Sequence, residues 1–225
     1  ISVITLICSA FFVIFYNTAF FKALLTALPI ENAKSALFFI SVSLLVGAVT
    51  AIVLSFFVLP KISKPVMVFI FITAASVSYF MNAYGIVIHQ TMIQNTIETD
   101  TKEASGLLSG ALILYVLVLG IIPSALLFKV NLRFGDFKHE AWEKLKLWGA
   151  ILLAIVLLIA TFTADYASFF RNHKNIRHMA NPVNFIYATI DYASASNKSI
   201  TVKPIGEDAK LNAKAAMHTK PMLFI

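Results

Sequence analysis

The sequence predicts an all-α membrane fold: five transmembrane helices, with interfacial helices on one side of the bilayer. Three observations predict it. First, 59% of the residues are apolar, only 13% are charged, and mean hydropathy is +0.83; a soluble domain carries about 25% charged residues. Second, the apolar residues fall into five uncharged runs of roughly 18–26 residues, and a bilayer core takes about 20 per helix. Third, lysine and arginine concentrate in alternate connectors. Backbone groups in hydrocarbon must bond within their own segment, so runs of this length are helices rather than strands.

The first run is Ile1 to Phe21. It is long for the apolar region of a signal peptide and has no A-x-A-like cleavage site before charged sequence, so it reads as a span. The single cysteine, Cys8, lies within it and reads as a packing residue. The second run is Ser35 to Pro60 and the third Pro65 to Ile88. The fourth is Ala104 to Phe128, where Pro123 predicts a kink. The fifth is Leu147 to Ala164. No Asp, Glu, Lys, Arg or His lies within any of the five. Transporters and pumps place such residues on their pathways, so conduction is disfavoured. A pI of about 9.5 does not point to nucleic acid in a chain of five spans.

The connector "KISK" carries Lys61 and Lys64, and the connector after the fourth run carries Lys129, Arg133, Lys138, Lys144 and Lys146. The opposite connectors carry only Lys22, Lys34 and Lys102. The positive-inside rule puts the N-terminus and the two basic connectors in the cytoplasm, and everything after residue 165 on the far side. The chain therefore divides into a membrane domain, 1–165; interfacial amphipathic helices, 166–195; a polar linker, 196–220; and "PMLFI", 221–225, which reads as the first buried strand of a further domain. Within 166–195, Tyr166, Phe169 and Phe170 suit the headgroup level. Arg171, Lys174 and Arg177 follow at spacings of three and predict a basic helical face on lipid phosphates. Pro182 breaks that helix, and Val183, Ile186, Tyr187 and Ile190 form a second apolar face.

The stretches "NAYGIVIHQTMIQNTIETDTKEA" and "DYASFFRNHKNIRHMANPVNFI", with "KPMLFI" at the end, resemble the lipid A phosphoethanolamine transferases, the family that includes the mobile colistin-resistance enzymes. The resemblance runs through the whole chain in span order. It implies a Gram-negative inner-membrane protein whose five helices precede a periplasmic, zinc-dependent α/β domain of the alkaline phosphatase and sulfatase type. This chain ends before that domain's threonine nucleophile and zinc ligands, so the resemblance implies no catalytic residue or metal ligand in 1–225 and no turnover by the chain alone. The implied reaction moves phosphoethanolamine from phosphatidylethanolamine to the threonine, then to lipid A, with resistance to polymyxin as the outcome. The implied partners are the phospholipid membrane, the phosphatidylethanolamine donor, the lipid A acceptor and the tethered periplasmic catalytic domain. The alternative, from a different class, is a non-catalytic membrane scaffold or transporter-like module.

The resemblance also implies that the positions matching Tyr84, Asn95, Thr99 and Glu103 bind substrate. The residue types fit. On one continuous helix Asn95, Thr99 and Glu103 lie at roughly 0°, 40° and 80°. A carboxylate pairs with an ammonium, while an amide and a hydroxyl donate to phosphate oxygens. The same stretch holds a second pattern, Asp100-x-x-Glu103, which resembles a helix cap. If Asp100 starts a new helix, the single face disappears. His89 departs from the family, which tends to an acidic residue there, and it has no partners at metal-ligand spacing.

Overall fold

The computed structural model describes residues 2–60, 62–132 and 134–196. The linker and strand expected over 196–225 lie almost wholly outside the described residues. Within them the chain is helical throughout: α1 (Ser2–Tyr16), α2 (Thr18–Ala27), α3 (Ala33–Phe57), α4 (Ser63–Tyr84), α5 (Gln90–Glu98), α6 (Thr101–Leu107) and α7 (Gly110–Tyr115). A π-helical turn (Val116–Ile121) leads into α8 (Ile122–Lys129), followed by α9 (Phe137–Thr161), α10 (Thr163–Asn172), a short 3-10 turn (Ile176–Met179) and α11 (Val183–Ser196). Four stretches are long and apolar enough to cross a membrane: Ala33–Phe57, Ser63–Tyr84, Gly110–Lys129 and Lys138–Thr161. The bent pair α1 and α2 makes up to a fifth.

The first run departs from a single straight span. It breaks at Asn17, and α2 leaves α1 at 63°. The cause is the one amide in an otherwise apolar stretch. Asn17 is fully buried and makes three bonds there: its Nδ2 donates to Phe12 O at 2.9 Å and to Asn181 O at 2.7 Å, and its Oδ1 accepts from Asn181 N at 2.8 Å. Asn181 Nδ2 in turn donates to Ala74 O at 3.0 Å, so the segment after α10 is pinned to both α1 and α4. Unpaired amides in an apolar surround are costly, and here the Asn17 side chain is satisfied by the Asn181 backbone and by Phe12 O.

The fourth run also departs. It begins at Gly110 rather than Ala104, and α6 is a separate helix before it. Pro123 distorts it as expected, in the form of a π-helical turn immediately upstream. Proline has no N–H to give the carbonyl four residues back. That carbonyl, Leu119 O, accepts instead from the Tyr16 hydroxyl. Span four therefore bonds to span one where its own ladder fails. Gly120 lies in the same turn, and a Cβ added there would stand 3.3 Å from Ile72 Cα on α4. The fifth helix starts about three turns before Leu147, at Phe137, because its charged residues are good helix formers and Lys146 pairs with Glu143 at 2.9 Å.

The core has two parts. Phe12, Tyr16, Leu54, Met67, Phe71 and Leu127 gather α1, α3, α4 and α8. Phe20, Leu24, Phe38, Val42, Tyr166 and Phe169 gather α2, the start of α3, and α10. The connectors sort to two ends. At one end Lys64 Nζ donates to Phe128 O at 2.8 Å and Lys144 Nζ to Val58 O at 2.6 Å. At the other, Lys34 pairs with Asp165 at 3.0 Å and Asn184 Nδ2 donates to Ile88 O at 2.9 Å. The two basic connectors thus share an end, as the lysine asymmetry requires.

The interfacial segment differs from expectation in its faces. Tyr166 and Phe169 are buried at 3% each rather than turned to headgroups, because both rings pack on Phe38. Arg171, Lys174 and Arg177 do not share a helix: α10 ends at Asn172 and Arg177 sits in the 3-10 turn. In α11 the buried face is Asn184, Phe185 and Ala188, while Tyr187 and Ile190 of the expected apolar face are each 60% exposed.

Candidate functional site at the polar end of the bundle

Tyr84 is the last residue of α4. Gly85 stops the helix in the left-handed region (φ 66°), its N–H bonding back to Met81 O at 3.1 Å. Glycine takes that conformation without the Cβ penalty of other residues. The chain then runs extended to His89, the N-cap of α5. Asn184 holds this approach through its bond to Ile88 O, which fixes α5 against α11.

Beneath α5 lies a recess of about 430 Å³, with Phe80, Tyr84, Met92, Thr99, Leu107 and Leu112 among its walls. Its wall is mostly apolar, with hydroxyls at one side from Tyr84, Thr96 and Thr99. The Tyr84 ring stacks on Phe80 at 5.7 Å and meets Tyr79 edge-on at 6.4 Å. Tyr79 is tied in turn: its hydroxyl lies 2.8 Å from Ser109 Oγ, and Ser109 Oγ caps α7 by accepting from Leu112 N at 3.1 Å. One hydrogen-bonded chain therefore sets the distance between the end of α4 and the start of span four, the two walls of the recess.

Of the four residues singled out in the sequence, the structure brings Tyr84 and Thr99 to this recess. Asn95 lies on the exposed side of α5. The single helical face through Asn95, Thr99 and Glu103 does not form. α5 ends at Glu98, Thr99 (ψ 127°) and Asp100 (ψ 150°) are extended, and a new helix begins at Thr101 with Asp100 at its N-cap. Glu103 belongs to that second helix. The physical reason is local: Thr99 Oγ1 donates to Asn95 O at the end of α5, and Asp is a favoured N-cap residue. The stripe is thus divided between two helices instead of running along one rod.

Behind α5 the His89 and His178 rings lie 5.5 Å apart, edge to face. Arg177 Nε donates to His178 Nε2 at 3.2 Å. Burial first, then the positive charge of Arg177 and the His89 ring, hold the His178 pKa below the ordinary histidine value. His178 therefore favours its neutral form. Among the described residues no three His, Cys, Asp or Glu are placed to hold a metal ion.

Sequence reasoning missed Asn184 and Tyr79, which position the recess without lining its polar side. Asn17 and Asn181 left a signal, since each is an amide beside an apolar or proline-broken stretch.

A bundle of up to five spans, with an apolar recess at one end, defines a helical membrane domain. Comparison with known proteins makes the class specific. The phosphoethanolamine transferase EptA/EptB family matches residues 45–196. Phosphatidylethanolamine transferase Mcr-1 of Escherichia coli is 34% identical over 214 residues, covering 93% of this chain and 39% of that protein. Phosphoethanolamine transferase EptA of Escherichia coli K12 is 31% identical over 211 residues, covering 92% and 38%. The integral membrane lipooligosaccharide phosphoethanolamine transferase A (EptA) from Neisseria meningitidis superposes with a TM-score of 0.82 at 24% identity, over 87% of this chain and 37% of that one, and so shares the fold. The chain belongs to the phosphoethanolamine transferase EptA/EptB family. It spans about two-fifths of the length of the curated relatives it matches.

Proposed function

We propose that this chain is the membrane domain of an enzyme that moves phosphoethanolamine from phosphatidylethanolamine to lipid A. It anchors the enzyme in the inner membrane, with the recess end on the periplasmic side, and presents the donor lipid to a periplasmic catalytic domain. The recess under α5 carries this reading. Its apolar wall suits the glycerol and upper acyl region of a lipid, and Tyr84 and Thr99 line it; Asn95 and Glu103, from the same stretch of sequence, are the amide and the carboxylate that a phosphate and an ammonium require. Transfer adds an amine to lipid A, so the surface becomes less anionic and binds polymyxin less well. Among the described residues no three His, Cys, Asp or Glu are placed to hold the zinc that the family resemblance implies. The scaffold or transporter reading has less support: no charged side chain is buried among the described residues.

The test is Glu103→Ala in the full-length enzyme. Polymyxin resistance falls while membrane abundance stays constant. Unchanged resistance at equal abundance rejects the headgroup role.

A further inference from the structure

Two other cavities lie on helices remote from the recess. The first, about 380 Å³, opens at the recess end of the bundle, between the α2–α3 turn and α10. Glu31, Lys34, Asp165 and His173 rim it, and Leu28, Phe38 and Phe169 are among its apolar walls. The second lies one level further in along α3. It is an apolar groove of about 730 Å³ between α1, α3 and α9, lined by small residues that include Ala10, Gly47, Ala48 and Ala154. The two are neighbours: Phe162 lines the groove, and its ring lies 5.8 Å from Phe38 in the upper cavity.

The groove offers no free donor. Ser9 Oγ donates to Gly47 O at 2.6 Å, Ser43 Oγ to Phe39 O at 2.8 Å, and Thr161 Oγ1 to Leu157 O at 2.8 Å. Water needs several polar partners in a cavity and finds only hydroxyls whose protons are already given to backbone carbonyls. The helix that borders it has little else to pack on: only 6% of the α9 span window is buried. A gap of this size beside so exposed a helix forfeits dispersion contacts unless hydrocarbon fills it. The rim above carries two carboxylates against one ammonium and one imidazole. A phosphate finds His173 there and Lys34, which also pairs with Asp165 at 3.0 Å. With Asp165 balanced by Lys34, Glu31 repels a headgroup that is only anionic and attracts one that also bears an ammonium.

We propose that the two cavities together hold one zwitterionic phospholipid as a resident lipid, its head at Glu31, Lys34 and Asp165 and an acyl chain in the groove, seating span five against α1 and α3. The site is separate from the donor recess and shares no residue with it.

Native mass spectrometry of the purified full-length protein, equilibrated with equimolar phosphatidylethanolamine and phosphatidylglycerol, reads the bound lipid directly. Wild type retains phosphatidylethanolamine over phosphatidylglycerol by about fivefold, the scale of one interfacial charge. Ala154→Phe, at an exposed position on the groove wall, fills the groove and loses the retained lipid. Glu31→Lys, on the exposed rim, removes the preference and keeps the protein folded. Tyr84→Ala leaves the retained lipid in place. Equal retention of both lipids by wild type, retention unchanged in Ala154→Phe, or loss in Tyr84→Ala overturns the proposal, the last by assigning the lipid to the recess.

Discussion

At the scale of single residues, the molecule depends on amides and hydroxyls that replace lost backbone bonds. Asn17 breaks the first span and then serves as the anchor for Asn181, 164 positions later. Tyr16 completes the carbonyl that Pro123 leaves open. Each device works because hydrocarbon offers no water as an alternative partner. Asn17→Ala leaves Asn181 N and O and Phe12 O short of partners at once, and a buried group left unsatisfied costs about 1–3 kcal/mol. We expect the thermal midpoint of the detergent-solubilised variant to fall clearly, with loss of the docked α10–α11 segment visible as faster proteolysis after Asn172. A midpoint equal to wild type contradicts the anchoring role. The break was not read from the sequence, where Ile1 to Phe21 counted as one span, although an amide in the middle of an apolar run was a signal for it. Its partner was not legible, because no local pattern links positions so far apart. Asn184 was hidden for the same reason: its bond to Ile88 crosses 96 positions.

At the scale of elements, two helices did not extend as one. The stripe of Asn95, Thr99 and Glu103 has a period that fits one rod, yet the Asp100 cap pattern in the same stretch prevailed. The backbone turns extended at Thr99 and Asp100, a break that periodicity alone could not place. Residue types remained informative where geometry was not: Tyr84 and Thr99 do meet at the recess, across the turn that Gly85 creates. The contact of α4 with span four is the other element on which the recess depends. Gly120 lets the π-helical turn approach Ile72 closely, and overpacking such a contact costs about 1–3 kcal/mol. Gly120→Val should therefore lower the thermal midpoint more than Gly120→Ala does, and weaken resistance in the full-length enzyme by widening the recess. Equal midpoints for glycine, alanine and valine contradict the close approach.

At the scale of the whole molecule, charge and hydropathy were enough to read the class. Span number and the sharing of one end by the two basic connectors follow from composition, because the bilayer makes each rule nearly obligatory. Helix ends were read less well, as at α9, where charged residues carry the helix past the hydrocarbon and hydropathy stops at its edge. The central claim is that the recess and the basic connectors face opposite sides of the membrane. Cys8 is the single cysteine of residues 1–225 and is buried at 6% exposure, so labelling is read against the unsubstituted full-length enzyme. The measurement is labelling of Asn95→Cys and Lys138→Cys by a membrane-impermeant maleimide in intact spheroplasts of cells making the full-length enzyme. Asn95→Cys is expected to label in intact spheroplasts and Lys138→Cys only after permeabilisation. Labelling of both from one side, or the reverse order, contradicts the account.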